Sequence, residues 1–304
     1  MSYKIKRYTD NLFLIILPPV APGFQNFIGV WLYKGEKTFI VDTGTSSTSD
    51  ALLHALSEIE VRHLDFILLT HIHLDHAGAI GEISGHYPDA PVVCHKDGIP
   101  HLADPARLWE GTKKTLGSIA KAYGPLKPVN IDRLTDASAF NESPVIPVIT
   151  PGHSLHHVSY LFKDYLFAGE AGGVCYPLRS GHEYMRPATP PKFFCNIAVK
   201  SIDALISKCP EKICYGHLGL KEDAVTLLKQ HKEQLYFWEH IIRNEIGNSQ
   251  NDDLIFRCSR LLLAKDHLLE GFSDMEEDIK EREKIFLLNS IKGFVGYISS
   301  ENFV

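Results

Sequence analysis

Residues 68 to 81 of this 304-residue chain read LLTHIHLDHAGAIG and bring His71, His73, Asp75 and His76 into six consecutive positions. Although the chain holds 16 histidines, chance would give the spacing H-x-H-x-D-H in only ~10⁻³ of such sequences. Imidazole nitrogen and carboxylate oxygen are the donors that borderline divalent cations take, zinc foremost, with iron and manganese as alternatives. His71 and His73 stand two apart on an extended segment, so their side chains point the same way and can share one ion. Asp75 and His76 follow a turn and can face a second.

One cluster does not fill two coordination spheres, so further donors are expected where other apolar runs end. His153 follows PVIPVIT in Pro151-Gly152-His153, Glu170 follows YLFAG, His217 follows EKICYG, and Asp42 follows TFIV and precedes Thr43-Gly44. Loops at one edge of a strand scaffold are where α/β folds place their chemistry. No Gly-x-Ser-x-Gly elbow is present, so a serine nucleophile has no support.

The elements that must hold these donors are readable from hydrophobic pattern. Apolar and β-branched runs predict strands at 12–17, 27–33, 38–41, 66–69, 92–94, 145–149, 158–162, 165–168 and 212–215, with amphipathic helices at 50–60 and 200–208. From residue 221 onward the spacing becomes helical, as in Ala224, Leu227, Leu228, Leu235, Trp238, Ile241 and Ile242, then 254–269 and 285–298. GNSQNDD between them supplies a loop and an N-cap, and DMEEDIKEREK reads as a solvated helix face. Glycines 78, 81 and 85 lack phosphate-loop spacing and are expected to permit close helix packing.

Composition narrows the partners. A net charge of -6 gives no general attraction to nucleic acid or anionic lipid, and the apolar run 12–17 is too short for a signal core or membrane span. Six scattered cysteines without C-x-x-C spacing are expected to be buried packing residues in a reducing, cytoplasmic setting. The expected partner is therefore a small-molecule substrate, with neither nucleic acid nor membrane, and a homodimer is one use the C-terminal helices could have.

THIHLDHAG, TPGHS, the acidic residue after YLFAG, YGHLG and the early VDTG together resemble the metallo-β-lactamase-fold hydrolase superfamily, in motif order over roughly residues 10 to 220. Within it, HKDGIPHLADPARL and PGHSLHHVSY look closer to the branch of glyoxalase II-type thioesterases and lactonases, in a bacterial and archaeal subgroup of unassigned substrate. The resemblance implies an α/β fold, a four-layer αββα sandwich, as a catalytic domain over 1–220, followed by a C-terminal helical region over 221–304. It also implies that His71, His73 and His153 hold one metal and Asp75, His76 and His217 another, with Glu170 in the bridging place. Asp42 would orient the site from outside by hydrogen bonding; capping a turn is its other reading.

What the resemblance implies for mechanism is a dinuclear site whose metal-bound hydroxide attacks a small ester, thioester or lactone, with Asp75 shuttling the proton to the leaving group. One departure stands out. The family has Asp at the bridging place, whereas Glu170 is longer by about 1.5 Å, and paired catalytic metals sit roughly 3.5–4 Å apart. Retained binding of both ions is expected, since every other donor is intact. A mononuclear iron dioxygenase acting on a thiol-derived substrate and a non-catalytic binding module are the alternatives. The segment after Glu170 is rich in Tyr, Arg and His, making Tyr176, Arg179, His182, Tyr184 and Arg186 candidates for gripping substrate, with a solvated loop as the plainer reading. Trp109 and Tyr123 are expected to offer apolar walls, and His95, His101, His156 and His157 to be structural.

Overall fold

The computed structural model describes residues 2–141, 144–178, 181, 183–190, 193–217, 219–247 and 253–301. Packing divides the chain into two compact units, Met1–Ile149 with Val158–Lys163, and Thr150–His157 with Asp164–Val304.

The first unit is built on a seven-stranded sheet whose spatial order follows the sequence: β1 Lys4–Arg7, β2 Leu12–Ile16, β3 Gly29–Lys34, β4 Thr38–Val41, β5 Phe66–Leu68, β6 Val92–Cys94 and β7 Leu134–Asp136. β1 to β4 are antiparallel, and β4 to β7 are parallel. Parallel neighbours need crossovers, and helices lie in those connections: α1 Ser49–Glu58, α2 Leu74–Ala77, α3 Ile80–His86, α4 Ile99–Ala103, α5 Ala106–Leu116 and α6 Ser118–Tyr123. Because LFLI, TFIV and FIL are continuous apolar runs, these strands are buried on both faces. An antiparallel pair, β8 Ile146–Ile149 and β9 Val158–Phe162, completes the unit. Phe162 of β9 packs 4.5 Å from the Tyr33 ring and 5.1 Å from that of Phe39. The Tyr160 hydroxyl lies 2.9 Å from Leu69 O and 3.1 Å from Val93 O, so the pair lies face to face on the larger sheet.

In the second unit, β10 Tyr165–Gly169 runs parallel to β13 Lys212–Tyr215, which pairs antiparallel with β14 Leu220–Glu222. β11 Val174–Pro177 and β12 Glu183–Arg186 form a separate antiparallel ribbon, and α7 Cys195–Ile206 precedes β13. Then come α8 Ala224–Ile246, α9 Leu254–Lys265 and α10 Glu277–Glu301. Their core is the fully buried Trp238, 5.9 Å from the Phe294 ring, with its indole N–H donating to Asp266 at 2.7 Å. Among the described residues no helix is long and apolar enough to cross a membrane.

The α/β expectation and the helical C-terminal run hold, with corrections at their edges. β1, β7, β11, β12 and β14 escape the sequence pattern, and β1, β7 and β14 do so because they are polar or half-exposed along their length. α7 begins at Cys195 rather than Lys200, and Asp253 caps α9 by accepting from Ile255 N at 2.9 Å. Cys209 is exposed, unlike the other five thiols, because it sits just past the end of α7. A Cβ at Gly78 would lie 2.2 Å from Leu74 O, which explains the glycine, whereas Gly85 faces open space. The acidic and basic run is not simply a solvated face: Arg282 and Glu283 within it are buried.

Candidate metal centre

In the first unit the histidine cluster is presented by a strand, a turn and a one-turn helix. The chain leaves β5 extended through His73 (φ −63, ψ 151) and enters α2 at Leu74, which keeps His71 and His73 on one side. His71 Nε2 lies 3.0 Å from His73 Nδ1. Two nitrogens on one tetrahedral zinc at 2.0–2.1 Å would stand about 3.3 Å apart, so the pair is nearly set for sharing an ion. His71 and His76 rings are 4.2 Å apart, and His76 Nε2 is 3.9 Å from Asp75 Oδ2.

Asp42 governs this cluster from outside it. It holds the left-handed φ of 63°, costly for a non-glycine residue, and from there its carboxylate accepts from Thr70 N at 2.8 Å and from Thr70 Oγ1 at 2.9 and 3.0 Å. Its Oδ2 also accepts from His76 Nδ1 at 2.8 Å. The Thr70 hydroxyl proton is thus committed to Asp42, so at His71 Nδ1, 3.1 Å away, the hydroxyl must accept. Both Nδ1 atoms therefore carry hydrogen, which makes Nε2 the ligating nitrogen of His71 and of His76. Thr43 fixes the same helix through its N and Oγ1, which donate to His76 O at 2.6 and 3.0 Å. Gly44 is required beside it, since at φ 69° a Cβ would lie 2.1 Å from Leu17 Cδ1.

The second unit carries its donors on three separate loops. His153 follows Pro151, whose carbonyl accepts from Ser201 of α7 at 2.6 Å, and Gly152 lets that helix approach, since a Cβ would meet Ala198 at 2.9 Å. His153 Nδ1 donates to Ala188 O at 2.9 Å, which makes Nε2 its ligating nitrogen. Glu170 follows β10, and His217 follows β13, where Gly216 N donates to Gly169 O at 2.9 Å. Glu170 Oε2 lies 2.8 Å from His153 Nε2, and Oε1 lies 3.4 Å from His217 Nε2. One carboxylate thus addresses two histidines with different oxygens.

His157, set aside as structural on sequence grounds, holds Glu170 in place. Its Nε2 accepts from Glu170 N at 3.1 Å, so its Nδ1 donates to Thr150 Oγ1 at 2.8 Å. Fully buried, it gives no pattern signal beyond its nearness to the TPGHS motif.

The donor chemistry fits a divalent cation. The lone pair of His153 Nε2 faces a carboxylate oxygen, and that of His76 Nε2 faces the Asp75 carboxylate; a cation between them turns acceptor against acceptor into shared ligation. Asp75 differs in exposure, its side chain 18 % accessible against 2 % for His76.

A family model described as the metallo-beta-lactamase superfamily matches residues 22–217. The chain belongs to that superfamily. ST1585 of Sulfurisphaera tokodaii, a metallo-beta-lactamase fold-containing protein, is 28% identical over 75% of this chain and 87% of its own. Its crystal structure superposes with a TM-score of 0.68, covering 94% of this chain and 99% of that one at 23% identity. A hydroxyacylglutathione hydrolase of Shewanella loihica is 29% identical over 50% of this chain and 49% of its own. This metallo-β-lactamase-superfamily chain is a metallo-hydrolase with the family's α/β fold, extended by C-terminal helices.

The substrate candidates of this hydrolase fare unequally. Arg179 and His182 lie outside the described residues. Tyr176 and Tyr184 are buried and paired across the β11–β12 ribbon. Arg186 already grips a carboxylate of its own chain: its Nε donates to Glu283 Oε2 at 2.5 Å and its Nη1 to Pro187 O at 3.2 Å. Burial works against the Arg186 charge, but the Glu283 carboxylate offsets it and raises the guanidinium pKa above its ordinary value. In the first unit Tyr123 is buried edge-on against Phe24 at 6.3 Å, and Trp109 is half-buried beside Lys113.

Proposed function

We propose that this chain hydrolyses a small ester, thioester or lactone at a pair of divalent ions, zinc by preference of the donors and iron or manganese as alternatives. His71, His73 and His153 would hold one ion, Asp75, His76 and His217 the other, and Glu170 would bridge them. The observation that carries this is Glu170, whose two oxygens lie beside histidines assigned to different ions. When bound, such ions polarise a substrate carbonyl and acidify a water.

The chain's own residues do the rest. Asp42 and Thr70 hold His71 and His76 in the ligating tautomer, Ala188 O does so for His153, and His157 sets the backbone from which Glu170 reaches. Asp75, the most accessible carboxylate of the set, takes up a proton at Oδ2 and hands it to the leaving group. The thioester option draws support from the hydroxyacylglutathione hydrolases among the relatives. A small-molecule substrate with neither nucleic acid nor membrane as partner, a homodimer as a further use of the C-terminal helices, and a cytoplasmic location agree with the acidic charge and the free thiols.

The test is turnover by zinc-loaded protein across a panel of esters, thioesters and lactones, with oxygen uptake followed in parallel. Hydrolysis of at least one class, abolished by chelation and restored by zinc, is expected. Oxygen consumption without hydrolysis, or no turnover by fully loaded protein, would overturn the proposal.

A further inference from the structure

A small cleft within the second unit is lined by both His153 and Glu170, and α8 closes it with His231 and Leu235. Its free volume of about 10 Å³ admits one water and is far too small for an acyl group, so it is no substrate pocket. His231 is only 3% exposed, and its Nδ1 has no hydrogen-bond partner among the described residues. Natural interiors seldom leave a buried nitrogen so placed, and a water is the usual partner.

The same ring packs on the turn that follows Glu170. Gly173 N donates to Glu170 O at 3.1 Å, and a Cβ at Gly173, where φ is +78°, would lie 2.8 Å from His231 Cε1 and 2.9 Å from Nδ1. Burial depresses the imidazole pKa to about 4 against a smaller opposing effect of the Gln234 side chain, so the ring is neutral, with one donor and one acceptor nitrogen, Nδ1 being the one that lacks a partner among the described residues. A neutral ring of that kind suits a bridge to a carboxylate through a single water.

We propose that His231 is a positioning residue of the metal centre, holding one water in this cleft that is hydrogen-bonded in turn to the Glu170 carboxylate. The inference rests on the metal-binding reading above. It makes the C-terminal helices part of the active site's framework rather than an appendage.

Zinc affinity, measured by chelator competition on the full-length protein, tests it without recourse to activity. His231→Phe keeps the ring's bulk but loses the hydrogen bonds, and a 10- to 100-fold weaker zinc affinity is expected at unchanged secondary structure. His231→Gln, which keeps a polar head, should recover most of that loss. If the Phe variant does not fold, His231→Asn with its shortened head is read in its place and should also bind zinc more weakly. A folded Phe or Asn variant with wild-type zinc affinity would overturn the inference alone; wild-type protein that takes up no zinc would overturn the metal reading as well.

Discussion

Two glutamates of the second unit are buried, and their surroundings differ in kind. Glu283, wholly inaccessible, is met by Arg186 Nε at 2.5 Å and Arg282 Nη2 at 2.9 Å, both permanently charged. Glu170, 9% exposed, is met by imidazoles of His153 and His217 and by the hydrogen bond from its own N–H to His157. Arg186 also feels the charge of Glu170, but its N–H groups go to Glu283 and Pro187. A buried carboxylate needs a counter-charge. At Glu283 the chain supplies it, and the result is a structural anchor tying α10 to β12. At Glu170 the close neighbours are imidazoles, which can share a metal ion with the carboxylate.

The largest expected contrast comes from replacing each carboxylate by its amide. Glu170→Gln should lower kcat/KM on the best substrate by ~10³-fold, the equivalent of about 4 kcal/mol of transition-state stabilisation. In chelator the same variant should be at least as stable to urea as the wild type, since the buried charge it removes has imidazoles as its close neighbours. Glu283→Gln should do the reverse: zinc content unchanged, unfolding free energy lower by about 3–5 kcal/mol, the scale of breaking a buried ion pair. Equal loss of stability in both variants would erase the distinction.

A smaller effect sharpens the claim that tautomers are set from outside. Asp42→Asn cannot accept from both Thr70 and His76 as a carboxylate does, and zinc affinity should fall about 10- to 100-fold. Chelator competition measures it. A further effect is in the acid limb of stability. Burial would raise the Glu283 pKa, but Arg186 and Arg282 hold it below 4.5, so its contribution is present above pH 4.5 and fades as pH falls through the depressed value. His231, held neutral down to about pH 4 against 6.5 when free, costs stability as pH falls between those values, because the unfolded chain takes the proton first. Urea unfolding at a series of pH values should show that second slope flattened in His231→Phe.

Legibility in the sequence followed the same division. His71, His73, Asp75 and His76 are adjacent, and the period of the strand that carries them gives their grouping directly. His153, Glu170 and His217 were found because each ends an apolar run, but their association needed the family's motif order. His157, His231 and Glu283 stayed hidden for a physical reason: a buried polar side chain is defined by its non-local partners, such as Thr150, Gly173 and Arg186, which no spacing reveals. Buried, largely apolar strands such as β2 and β4 were plain, whereas polar β1, KIKR, became a strand only through its pairing with β2.

The proposed function requires that donors far apart in the chain bind a pair of cations. Elemental analysis of protein equilibrated with zinc and freed of excess tests it most directly. Close to two ions per chain is the predicted result, and fewer than one would contradict the account.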